Sequence, residues 1–84
     1  MTNRRIKTYE NNDMSLSCMG EMVIDSDNKV LSCRFKGYPR ANGIDRWGIF
    51  YSDTNIGEKI EEPRIQNILS FNGKNNIVSV LNEV

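Results

Sequence analysis

The chain contains no histidine, only two cysteines and two prolines, and no excess of either charge sign: eleven basic residues stand against eleven acidic ones in 84. Without an imidazole there is no Ser-His or Cys-His nucleophile pair, no histidine general base and no histidine metal ligand. Cys18 and Cys33 alone supply too few thiolates for a tetrahedral zinc site. The charge balance and a pI near 6.2 exclude a surface that is basic throughout, so any nucleic-acid role needs a local patch. The six glycines are scattered singly, and no phosphate loop, dinucleotide fingerprint or nucleophile elbow occurs. Asp25-Ser26-Asp27 begins like a calcium loop, but Lys29 and Val30 occupy the places of an oxygen ligand and the required glycine. Glu61 and Glu62 are adjacent, and on extended chain they would point in opposite directions. The expectation is a protein that is not an enzyme and carries no metal or cofactor.

Long apolar runs are also missing. The opening MTNRRIKTYENND has no signal-peptide core, and nothing later is long and apolar enough to span a bilayer. With two cysteines and no such signal, the reading is a cytoplasmic protein with free thiols and no membrane partner.

What is present fits one small domain. A chain of this length buries roughly 60 to 65 per cent of its unfolded surface. Hydrophobic residues make up 38 per cent, so stability is expected at about 3 to 5 kcal/mol, with homodimerisation as one way to add to it. Eleven asparagines hint at an AT-rich coding genome and a phage or mobile-element accessory gene.

Residues 1–14 are charged and amide-rich with little periodicity, which predicts a flexible basic and polar arm carrying Arg4, Arg5 and Lys7. Residues 15–84 read as the β-rich domain. Leu16, Cys18, Met22 and Ile24 alternate with Ser17, Met19, Glu21 and Val23 at strand period, with Gly20 interrupting the apolar face. Asp25-Ser26-Asp27-Asn28 is a turn sequence, and a second strand over 29–38 follows it. Pairing Met22 with Leu31, Gly20 with Cys33 and Cys18 with Phe35 places all of these on one face, with both thiols among them.

A loop with Pro39 and Gly43 leads to a third strand over 45–52, in which Trp47, Ile49 and Tyr51 face inward. Residues 53–62 read as an acidic connection. Over 63–71, Ile65, Ile68 and Leu69 follow Pro63 at helical spacing, yet the Asn72-Gly73 hairpin signal favours two final strands, the last over 77–81. The fold class is therefore mainly β: an antiparallel sheet of about five strands, either barrel-like or capped by one short helix, with α+β as the alternative.

Alternation sends Arg34, Lys36, Tyr38, Arg46 and Phe50 to the outer face together with Met19 and Val23, and Arg40 sits in the loop beside them. Arg34, Lys36, Tyr38, Arg40, Arg46 and Phe50 are the candidate partner-binding residues. Arginine and aromatic residues are enriched in protein interfaces, which points to a small accessory factor that binds and modulates or inhibits a host protein. The alternative is a single-stranded RNA or DNA binder using the same basic-aromatic face plus Arg4, Arg5 and Lys7.

Overall fold

A computed structural model describes residues 2–12, 15–35, 51, 54–70 and 76–83. Four antiparallel strands form one open sheet: β1 (Asn3–Asn12), β2 (Ser15–Ile24), β3 (Val30–Phe35) and β4 (Asn76–Glu83). Their order is β3-β2-β1-β4. One helix, α1 (Glu62–Leu69), contributes Ile65 and Ile68 to the core. The mainly β expectation holds, with four strands among the described residues and a helix on one face.

The first correction is at the N-terminus. The residues expected to form an arm instead supply β1, an interior strand paired with β2 on one side and β4 on the other. Ile6, Thr8 and Glu10 are buried on one side, while Arg5, Lys7 and Tyr9 lie on the other. This is period-two alternation hidden from a hydrophobicity pattern, because two of the three buried side chains are polar.

The second correction concerns β2. The ladder runs Thr8↔Gly20 and then Tyr9↔Cys18, leaving Met19 as an extra residue. This bulge reverses the alternation. Met22 and Ile24 are buried, and Met19 packs against the core they belong to. Leu16 and Cys18 fall on the side of Tyr9 instead. A second irregularity takes the ladder from Val23↔Ser32 to Ile24↔Val30 and passes over Leu31. The pairing is Met22↔Cys33 and Gly20↔Phe35, two residues from the expected register, and Val30 takes the buried place expected of Leu31. Cys33 packs against the core while Cys18 sits on the opposite side; both are free thiols.

The β2–β3 turn forms as its sequence predicts. The Asp25 carboxylate accepts hydrogen bonds from the Asp27 and Lys29 amides at 2.8 and 3.0 Å, and Asn28 adopts a positive φ of 64°. Residues 54–61 connect onward, and this segment clips to the start of β3. The Val30 amide donates to the Glu58 carbonyl, the Gly57 amide to Val30, and the Ile60 amide to Asn28, each at 2.8 Å. Gly57 needs no side chain here, since its φ is +93°. Ile60 is thereby buried in the core.

Over 62–69 the structure is helical, not the strand that the following hairpin signal favoured. Pro63 occupies the first turn, where its missing N–H costs nothing, and Ile65 and Ile68 lie one turn apart on the buried side. Burial of this stripe outweighs the β-favouring chemistry downstream. The Asn72-Gly73 hairpin falls outside the described residues, as does most of the proposed third strand. Tyr51, its described member, has helical rather than extended backbone.

Tyr51 closes the core. Its ring lies against Gly20, and its hydroxyl donates to the Ile6 carbonyl at 3.3 Å. The apparent gap in the apolar face of β2 is the seat of this ring. Burial pushes the Tyr51 phenol well above its ordinary pKa.

Candidate functional site

The inner sheet face is filled by the core, so interaction chemistry concentrates on the outer one. There the register sets Lys7 opposite Glu21 and Glu21 opposite Arg34, in a row across three strands. Arg5 is diagonal to Glu21. Its guanidinium is 2.6 Å from the Glu21 carboxylate, the Lys7 ammonium 3.6 Å and the Arg34 guanidinium 3.9 Å. Among the described residues, three cations thus gather around one carboxylate.

The members differ in exposure. The Glu21 side chain is only 19 % exposed, held between its neighbours, whereas that of Arg34 is 82 % exposed. A solvent-exposed ion pair contributes about 0.2 to 1 kcal/mol, so this clustering offers the fold little that one cation would not. Tyr9 lies one step further along β1, and Leu16, Ile77 and Leu81 put exposed apolar surface on the same face. The face joins cations, one aromatic ring and aliphatic side chains on a backbone fixed by ladder hydrogen bonds.

Of the candidate residues, Arg34 is placed on this face and brought to Glu21. Lys36, Tyr38, Arg40, Arg46 and Phe50 lie outside the described residues. Two residues expected to accompany them do not project as expected: Met19 turns to the core through the bulge, and Val23 is buried. In the sequence Arg5 and Lys7 stand out only as part of the basic arm, and Glu21 only as one of the positions alternating with the apolar residues of 16–24. The alternation of Arg5, Lys7 and Tyr9 with Ile6 and Thr8 is the signal that would have found them.

Arg4 belongs elsewhere. It faces α1, and its guanidinium meets both Glu62 carboxylate oxygens at 2.9 Å while also donating to the Asn28 side-chain oxygen. Asn28 and Gln66 donate to the same carboxylate at 2.9 and 3.0 Å. This cluster ties β1, the β2–β3 turn and α1 together. Its hydrogen bonds, that from Arg4 foremost, hold the Glu62 carboxyl at about 2, below its ordinary 4.5.

The folded pKa lies below the unfolded one, so this stabilisation is complete above pH 4.5 and is lost as pH falls toward 2. Thermal melts over that window should show a steeper decline for the wild type than for Glu62→Gln, which cannot titrate. Parallel declines would show that Glu62 does not couple protonation to folding.

Among the described residues, no three histidine, cysteine, aspartate or glutamate side chains gather in a way that could hold a metal ion. Nor is any helix among them long and apolar enough to cross a membrane. In comparisons with known proteins, no family model, no curated protein and no solved structure matches the chain.

Proposed function

We propose that this chain is a non-catalytic binding protein whose outer sheet face docks an acidic surface on another protein and thereby modulates or inhibits it. The convergence of Arg5, Lys7 and Arg34 on the single carboxylate of Glu21 carries this reading. A carboxylate at the centre of the patch opposes a run of phosphates, whereas mixed charge beside Tyr9, Leu16 and Leu81 is the composition of a protein interface. Candidate cations Lys36, Arg40 and Arg46 and rings Tyr38 and Phe50 would extend the contact. The asparagine-rich composition and small size fit a phage or mobile-element accessory factor acting on a host protein.

The nucleic-acid alternative keeps one observation in its favour, the three cations gathered next to an aromatic ring. Affinity capture from a bacterial lysate with tagged chain, with and without nuclease, separates the two. We expect a defined protein to be retained after nuclease treatment. Lys7→Gln with Arg34→Gln should weaken its binding by at least about tenfold while leaving the melting temperature nearly unchanged. Retention that disappears with nuclease, or affinity for single strands that falls by orders of magnitude between about 50 and 200 mM salt, would replace the protein partner with nucleic acid.

A further inference from the structure

Strands β1 and β4 divide the outer face into rows, because residues directly opposite in a ladder share a side. Leu81 stands opposite Arg5, Ser79 opposite Lys7 and Ile77 opposite Tyr9. Successive rows lie two residues apart on each strand, which is roughly 6.8 Å. An apolar residue of β4 therefore occupies the first and third rows, with a short polar one between them. Ile77 and Leu81 are 37 and 59 % exposed, and Ser79 is exposed as well. Ser79 ends at its hydroxyl, so it forms a dip between two larger side chains, bordered by Lys7. In that row Glu21 is engaged by Arg5 at 2.6 Å and is less exposed than Lys7, so among the described residues the charge presented to a ligand there is the ammonium. The lysine stem is flexible enough to carry it toward β4.

A segment laid on a sheet face meets side chains alone. The ladder groups of β1 are taken by β2 and β4, so the segment must satisfy its own backbone. Extended chain cannot do that, whereas a helix does so internally. A helix is also what covers the inner face, where α1 brings Ile65 and Ile68 to the core. The spacing agrees. A helix rises roughly 1.5 Å per residue, so positions i, i+4 and i+8 stand at steps of roughly 6 Å and turn through roughly 80° in all, within one amphipathic stripe. The chemistry follows row by row: an apolar residue at i against Leu81, a carboxylate at i+4 over Ser79 and beside Lys7, and an apolar residue at i+8 against Ile77 and the Tyr9 ring. This pattern reads the same in both directions, so it specifies residue types without fixing the polarity of the helix.

We infer that the outer face receives one amphipathic helix of its protein partner, lying along β1 and β4 with a carboxylate between two apolar residues at four-residue spacing. The inference rests on the reading that this face docks an acidic protein surface, and it names the element that docks. Lys7 and Ser79 select the acidic position, and Ile77 and Leu81 the apolar ones. Only the outward sides of β1 and β4 are used, so the inference is independent of what adjoins either edge of the sheet.

A displayed peptide library tests it. The peptides share a capped, alanine-rich helical frame of about 20 residues, with i, i+4, i+8 and their neighbours randomised, and are selected on the full chain. Leucine, isoleucine or aromatic residues should be enriched at i and i+8, and aspartate or glutamate at i+4. Amide shifts on binding should centre on Lys7, Tyr9, Ile77, Ser79 and Leu81. Ser79→Glu puts a carboxylate where that of the peptide would sit while standing opposite Lys7 within the chain, so the melting temperature should be nearly unchanged. The selected peptide should bind this variant at least about tenfold more weakly, and the same peptide with lysine at i+4 should recover the binding.

Selection that enriches no such pattern would overturn the inference, as would a basic residue preferred at i+4, equal affinity for the wild type and Ser79→Glu, or shifts centred on another part of the chain. Its failure is separable from that of the broader reading. A protein retained from lysate that depends on Lys7 and Arg34 but is indifferent to Ser79→Glu would keep the docking face and remove the helix. Retention of nucleic acid alone would remove both.

Discussion

A chain beginning at residue 13 will not fold. Strand β1 lies inside the sheet, so its removal strips β2 and β4 of the partner they share and takes Ile6, fully buried, out of the core. It also removes Arg4, through which β1 holds Glu62 of α1, and the Ile6 carbonyl to which Tyr51 donates. Burying one isoleucine side chain is worth about 1.5 to 3 kcal/mol, against a total expected at about 3 to 5 kcal/mol. Loss of the ladder comes on top of that. The truncated chain should give collapsed amide dispersion by NMR and no cooperative thermal transition. A dispersed spectrum and a sharp melt from it would make residues 1–12 an appendage.

Gly20→Val should likewise abolish the folded state, with Gly20→Ala as its graded form. A β-carbon at position 20 would sit 2.9 Å from one edge carbon of the Tyr51 ring and 3.1 Å from the next, with the Thr8 hydroxyl oxygen also at 3.1 Å. The ring is a rigid, buried plate and cannot turn aside as a flexible chain end would. Overpacking of this kind costs about 1 to 3 kcal/mol for one carbon, enough to use most of the expected stability, and valine adds two more. Chemical denaturation of Gly20→Ala reads the loss directly. A double-mutant cycle with Tyr51→Leu, which removes the ring edge, should recover part of it. An alanine variant as stable as the wild type would mean that the ring does not seat on Gly20.

Both predictions concern features that the sequence displays in misleading form. In β1 the buried side carries Ile6 beside Thr8 and Glu10, so one apolar residue stood where periodicity needs three, and the segment resembled a solvated arm. Gly20 resembled an interruption because the residue that fills its space lies thirty-one positions away in sequence. The candidate site was legible to a similar extent. Arg34 and its outward direction follow from alternation in 30–35, whereas its companions Arg5 and Lys7 required knowing that β1 joins the same sheet.

The local features were fixed by the sequence itself. Asp25 to Asn28 can satisfy their own backbone, which makes the β2–β3 turn almost independent of context. Ile77, Val78 and Val80, all β-branched, prefer extended chain wherever they are placed. The absence of histidine restricts the chemistry whatever the fold. Tertiary structure decided the rest, because those choices depend on energies between distant residues. The bulge at Met19 sends Leu16 and Cys18 to the outer face so that Met22 and Ile24 can meet α1. The irregularity that passes over Leu31 brings Val30 inward in its place. Residues 62–69 become helical because Ile65 and Ile68 find a sheet to cover. A pattern of alternation records which residues share a face only while the ladder is regular; the irregularities are set by what must be buried on the far side.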